Sequence, residues 1–333
     1  MNESVPLLEL RSVSKRFVKT LDTAAKIAIR LGARAREEVV HAVDSVDLQI
    51  HRGEVVGLVG ESGCGKSTLG RMAVGLLPLT QGERLWQGRS LAGLDSAEAR
   101  RQQLKMQLVF QDPYASLNPR MRVADIVGEA PVVHGLVPKA DKVDYVSEQL
   151  ARVGLDPAVM RRFPHQFSGG QRARVGIARA LAVQPEFLVC DESVAALDVS
   201  IQAQVLNLFM ELRHALNLTY LFISHDLSVV EHISDRIVIM YLGRVVESGP
   251  VDELFAGPNH PYTRALLADV GKLEPKKRTF EPIRGEIPSP LNPPSGCHFH
   301  PRCPHAMPVC SEQTPTLKTV APGRVSACHL NGI

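Results

Sequence analysis

Apolar and polar residues alternate through LLELRSVSKRFV (residues 7–18), and a period of two predicts an edge or hairpin strand. A second strand pair is predicted at AVDSVDLQI (42–50) and EVVGLVG (54–60), divided by the turn signal His51-Arg52-Gly53. Between these strands lies an insert, residues 18–41, whose period becomes helical. Leu21, Ala24, Ala28 and Leu31 share one face over residues 19–36, and Lys19, Lys26 and Arg30 share the other. A Gly-rich turn after EVVGLVG leads into a predicted helix, STLGRMAVGLL (67–77), stopped by Pro78. Short strands are expected over 82–110, ending in QLVF, and mainly helix over 120–183. EFLVC (186–190) and TYLFIS (219–224) are unbroken apolar runs that lead directly into charged residues. Parallel strands covered on both faces have that pattern, with polar groups at their carboxyl ends. From about residue 273 the chain is proline-rich and is expected to stand apart from the main core.

Composition narrows the class only slightly. The chain has 333 residues, 44% apolar and 22% charged, as in ordinary globular proteins, and its net charge of +3 is too small to imply nucleic-acid binding. No apolar run approaches the roughly 18 residues that span a bilayer, and MNESVPLLEL lacks the form of a secretory signal. The expectation is a cytoplasmic protein that meets a membrane through a partner or a surface segment. Cys64 and Cys190 are isolated, whereas Cys297, Cys303, Cys310 and Cys328 crowd the tail. In a reducing compartment such crowding points to metal ligation before disulfides.

Residues 60–67, Gly60, Glu61, Ser62, Gly63, Cys64, Gly65, Lys66 and Ser67, match the P-loop pattern G-x-x-x-x-G-K-[ST]. Glycines at 60, 63 and 65 let successive N–H groups turn inward toward phosphate oxygens, and the helix that opens at Ser67 and Thr68 adds its positive end. Lys66 would reach the β- and γ-phosphates, and the Ser67 hydroxyl would ligate Mg²⁺. The apolar strand FLVC followed by Asp191 and Glu192 has the Walker B form. Asp191 would hold Mg²⁺ and Glu192 would polarise the attacking water. Cys190 reads as a small buried residue.

Many nucleotide hydrolases share those two motifs. Residues 167–171, Phe-Ser-Gly-Gly-Gln, resemble the LSGGQ signature of the ATP-binding cassette (ABC) family. That resemblance implies that Ser168, Gly169, Gly170 and Gln171 contact the γ-phosphate held by another subunit's P-loop. It also implies a Q-loop role for Gln111, which touches Mg²⁺ or its water, and a D-loop at Ala196, Leu197 and Asp198. His225 matches the switch histidine, and Phe17 the aromatic that stacks on adenine. Phe167 and Ser193 depart from the family's usual Leu and Pro, at positions beside the chemistry. The implied fold is an α/β P-loop (RecA-like) core with an antiparallel β subdomain, a helical subdomain over about 112–178 and a small Cys-rich extension. Its domains divide as 1–265 and 266–333.

Longer strings narrow the match: FQDPYASLNPRM, HQFSGGQRARVGIARAL, SHDLSVVEHISDRIVIMYLGR, HPYTRALL and the tail GEIPSPLNPPSGCHFHPRCPHAMPVC resemble ATPase subunits of oligopeptide and dipeptide importers. The resemblance implies ATP hydrolysis at the cytoplasmic face of the inner membrane by a heterodimer of two related ATPases. Two permeases and an extracytoplasmic binding protein complete such a complex, with no nucleic acid. Nickel or other small-solute import by the same mechanism is the alternative. A non-transport cassette fits less well, because the chain has one cassette and no sustained heptads. The tail cysteines are separated by five, six and seventeen residues, without a C-x₂-C knuckle. By themselves they suit Zn²⁺ or an iron–sulfur cluster, with His298, His300, His305 and His329 as substitute ligands. The family resemblance implies a [4Fe–4S] cluster. The basic face of the insert is read as a solvated helix packed on its own domain, with anionic lipid as the functional alternative.

Overall fold

The computed structural model describes residues 5–19, 38–112, 114–268 and 285–332. Strand β1 (Leu8–Lys19) pairs antiparallel with β2 (Glu38–Ile50) on one side and β4 (Gln81–Trp86) on the other, and β5 (Arg89–Ser90) completes a four-stranded sheet. The insert's ends, 18–19 and 38–41, therefore belong to strands; the helix expected between them lies outside the described residues.

Strand β3 (Val55–Val59) does not pair with β2 as a hairpin. It enters a different sheet, parallel to β8 (Thr219–Ile223) and β9 (Arg236–Tyr241). The physical reason lies in burial. β2 alternates buried and exposed positions toward its end, whereas all five residues of β3 are buried, as a strand covered on both faces requires. With β6 (Met106–Val109), β7 (Phe187–Asp191), β10 (Arg244–Pro250), β11 (Lys318–Ala321) and β12 (Arg324–Ser326), the sheet order is β11-β12-β10-β9-β3-β8-β7-β6. The tail therefore does not stand apart from the core. β12 pairs antiparallel with β10, and Phe299 is buried with Tyr241, Leu254 and Tyr262.

Leu8, Leu10, Val46 and Ile50 of the antiparallel sheet bury against Leu58, Val238 and Met240 of the main sheet, with Leu69 and Met72 between. The helical region contains Val123–Val133, Lys142–Arg152 and Gly169–Leu181, whose apolar faces share a core with Leu188 and Phe222. Its last helix begins at a capping box: Gln171 N–H donates to Ser168 Oγ, and Ser168 N–H donates to Gln171 Oε1. A helix at Ser96–Leu104 lies within the stretch read as strands. Asp95 caps it by accepting from the N–H groups of Ala97 and Glu98.

Candidate nucleotide site

Four neighbouring parallel strands end at one edge of the main sheet, and each delivers part of the site. β3 leads into residues 60–65 and the helix Lys66–Ala73, β6 into Gln111, β7 into Asp191 and Glu192, and β8 into His225. Gly65 has φ +104, and a Cβ there would stand 2.1 Å from the Ala42 carbonyl oxygen. Only glycine fits that turn beside β2.

Lys66 is buried, with its ammonium folded back onto its own loop: Nζ donates to the carbonyls of Gly60 (2.7 Å) and Glu61 (3.1 Å). Ser67 Oγ donates to Asp191 Oδ1 at 2.6 Å, so two of the three residues read as Mg²⁺ ligands present hard oxygen donors side by side. Burial pushes the Asp191 carboxyl above its usual range, opposed by the Ser67 hydroxyl and by Arg71, 3.8 Å away. Arg71 was not singled out from the sequence. Its signal is helical spacing: it lies one turn after Ser67 on the same face.

Glu192 joins the other two strand-end residues. Its Oε2 accepts from Gln111 Nε2 at 2.6 Å and lies 3.5 Å from His225 Nδ1. Its backbone is left-handed, φ +46, and its N–H donates to the Ile223 carbonyl on β8 at 3.0 Å. A non-glycine residue held in this region by the neighbouring strand is typical of a site that aims a side chain.

Phe17 is exposed on β1 opposite Val40, two residues from the Ala42 carbonyl that abuts Gly65. That is about 7 Å along a strand, so the Phe17 backbone pairs with the stretch of β2 that borders the phosphate loop. Ser62 and Gly63 are exposed, and Thr68 is half-buried behind the loop. Burial pushes the Cys64 and Cys190 thiols up, so neither is a reactive thiolate.

The signature does not reach this chain's own P-loop by any described hydrogen bond. Ser168, Gly169 and Gln171 are exposed, and Gly170 is buried where a Cβ would stand 2.4 Å from Ile201. Asp198 is exposed at the start of the helix Val199–Leu216.

In the tail, Cys297, Cys303, Cys310 and Cys328 line one small pocket with His260, His300, His305 and His329. Burial and the neighbouring thiols push Cys297 up to about 11 and raise Cys303 and Cys328. Among the described residues no group of three or more His, Cys, Asp or Glu is arranged to hold a metal ion. His298 Nδ1 is instead within 2.9 Å of the Leu242 carbonyl, and His329 Nε2 within 2.9 Å of the Gln313 carbonyl. Among the described residues no helix is long and apolar enough to cross a membrane.

Residues 43–195 match the family model described as ABC transporter, and residues 246–310 match that of the oligopeptide/dipeptide transporter C-terminal region. The oligopeptide transport ATP-binding protein AppF of Bacillus subtilis is 50% identical over 329 residues, covering 97% of each chain. A putative peptide import ATP-binding protein of Brucella ovis is 47% identical, covering 98% of this chain and 99% of that one. Among solved structures, an ATP-binding cassette captured as a dimer after hydrolysis, with ADP and Pi bound, aligns with a TM-score of 0.62 at 26% identity. It covers 73% of this chain and 98% of its own. The cassette cbiO1 of Clostridium perfringens, part of an ABC transporter complex, aligns with a TM-score of 0.61 at 26% identity, covering 75% of this chain and 91% of its own. A phosphate loop and two strand-end carboxylates on a cassette fold, with homology along nearly the whole chain, make this protein an ABC ATPase, a member of the ATP-binding subunits of the oligopeptide/dipeptide transporter family.

Proposed function

We propose that this chain powers the import of di- or oligopeptides as one half of an ATPase heterodimer on the cytoplasmic face of the inner membrane. Two permeases and an extracytoplasmic binding protein would supply the path and the cargo. The dimeric ATPase reading rests on one observation above others: Ser67–Asp191 and Gln111–Glu192–His225 meet within one chain, while Ser168, Gly169 and Gln171 are exposed. The Ser168 hydroxyl and the N–H groups of Gly169 and Gly170, which lie outside the capping-box pair of hydrogen bonds, are the kind of donors that complete a γ-phosphate site in trans. Val199, 84% exposed beside Asp198, also offers apolar surface to a partner.

Within the closed pair, the P-loop amides and Lys66 would cradle the triphosphate, and Phe17 would stack on the adenine. Ser67, Asp191 and Gln111 would hold Mg²⁺, which when bound neutralises charge on the β- and γ-oxygens. Glu192 would accept the proton of the attacking water, with His225 and Gln111 fixing its carboxylate. Positioning and charge stabilisation carry such a reaction. We divide the chain into a nucleotide-binding unit, 1–265, with its helical part over about 112–178, and an extension, 266–333. In the extension, Cys297, Cys303, Cys310 and Cys328, which border one pocket, would hold an iron–sulfur cluster or Zn²⁺ only after rearranging, since as they stand they form no metal-holding group. Anaerobically purified protein with neither stoichiometric metal nor charge-transfer absorbance would refute that assignment.

The import reading is tested in a deletion strain supplied with a required amino acid either free or as peptides. Growth is expected on the free amino acid alone, and Glu192→Gln should fail to restore peptide use. Normal peptide uptake in the deletion strain, with nickel uptake lost, would overturn the peptide assignment.

A further inference from the structure

Glu61 places a carboxylate in the second position of the phosphate loop, where a triphosphate is to bind. An anion there opposes nucleotide binding unless it is neutralised. The group that neutralises it comes from the far end of the chain. Arg302, on the short 3₁₀ turn His300–Arg302, donates from Nη1 to Glu61 Oε2 at 2.7 Å and from Nη2 to Glu61 Oε1 at 3.0 Å. The fork is bidentate, and its guanidinium side chain is only 5% exposed. Arg302 Nη1 also donates to Tyr241 Oη at 3.3 Å.

The same Glu61 is held through its backbone. Its N–H donates to Tyr262 Oη at 2.9 Å, and Tyr262 is fully buried against Tyr241 and Phe299, at ring separations of 4.7 and 5.3 Å. The Glu61 carbonyl accepts from Lys66 Nζ and, at 3.3 Å, from the Cys64 N–H. One residue therefore stands between the C-terminal lobe and the lysine that must swing to the phosphates.

We propose that Arg302 is a positioning residue of the nucleotide site: it cancels the Glu61 charge and fixes the loop's first turn, so that ATP affinity depends on the C-terminal lobe. The proposal rests on residues 60–67 being the phosphate loop. It separates charge from mere packing, because removing Arg302 exposes an anion that removing Glu61 abolishes.

The test is titration of the full-length chain with a fluorescent ATP analogue, alongside KM and kcat in the assembled ATPase. Arg302→Gln is expected to weaken ATP binding and raise KM by about tenfold, the low end for a charge-assisted pair, with kcat nearly unchanged. Glu61→Gln should bind ATP at least as tightly as the natural chain. The double variant Glu61→Gln/Arg302→Gln should recover to within about threefold. Arg302→Lys, which keeps the charge but not the fork, should fall between. Should Arg302→Gln alone fail to fold, the double variant still decides. Natural-chain affinity for Arg302→Gln, or a double variant that binds as weakly as about tenfold below the natural chain, overturns the proposal. Lys66→Ala is the control: undiminished ATP binding in that variant would instead indict the phosphate-loop assignment.

Discussion

Replacing Glu192 by Gln isolates the proton-accepting role proposed for its carboxylate. The substitution keeps length and shape, tolerates the same left-handed backbone, and leaves an amide oxygen that still accepts from Gln111, now 2.6 Å from Glu192 Oε2. It removes the negative charge and the basicity. General-base catalysis contributes about 10²–10⁴-fold, or roughly 2.7–5.4 kcal/mol at about 1.36 kcal/mol per factor of ten. Since the Lys66, Ser67 and Asp191 contacts are untouched, ATP affinity should stay within about twofold. The assay is single-turnover phosphate release by the chain with its partner at saturating ATP, paired with nucleotide titration. If Glu192 only orients water through hydrogen bonds, Gln retains that ability and the rate falls by less than about tenfold. That result, at unchanged affinity, would refute the assignment of Glu192 as base.

Three further outcomes follow from particular contacts. Asp191 has its folded pKa raised by burial, so its contribution to stability is present at low pH and lost as pH rises through the folded value. Asp191→Asn should therefore raise the melting temperature of the nucleotide-free chain at neutral pH while abolishing Mg²⁺-dependent hydrolysis; a lower melting temperature would count against this. Gly65→Ala, whose Cβ would meet a backbone oxygen at 2.1 Å, should lose ATP binding. Gly63→Ala, with φ +78 but open space around it, should cost only about 1–2 kcal/mol of left-handed strain; equal losses in binding and thermal denaturation would contradict the geometry. Burial lowers His260 to about 4, and its Nδ1 accepts the Tyr262 N–H. The unfolded chain then binds the extra proton between about pH 6.5 and 4, so stability should fall as pH drops through that window, with a slope approaching about 1.4 kcal/mol per unit. His260→Asn should flatten that part of a urea-denaturation pH series.

What the sequence revealed about this site depended on how local each signal is. The P-loop, the Asp191–Glu192 pair and the Ser168 cap are each contiguous, so spacing alone carries them. The turn residues at 51–53 mark two strands as a pair without saying whether the chain folds back or crosses between sheets, and β3 crosses. The distinguishing signal was the unbroken apolar run of β3 beside the alternation of β2. Helix Ser96–Leu104 has no buried residue, so no apolar stripe marked it; the cap at Asp95 with Glu98 three residues on was its readable sign. Arg302 and Glu61 are 241 residues apart, and no periodicity connects residues at that distance.

The chain's two routes to the site predict different kinetic consequences. Gln111 follows β6, Asp191 and Glu192 end β7, and His225 follows β8; parallel ladders at Val109↔Cys190 and Cys190↔Phe222 bind these three strands edge to edge, and Leu58↔Ile223 joins β3 to them. Their relative positions are set by strand register, which cannot shift by one residue without turning buried side chains to the opposite face. Substitutions in that sheet that leave it folded should thus act on the chemical step. Glu61 is held from the other direction, by Arg302 of the extension that joins the sheet through β12 and by Tyr262, which precedes the extension on the helix Pro261–Ala268. Neither residue touches a group assigned to water activation. A change confined to these two should move KM for ATP and leave kcat alone, whereas a change at Gln111 or His225 should do the reverse.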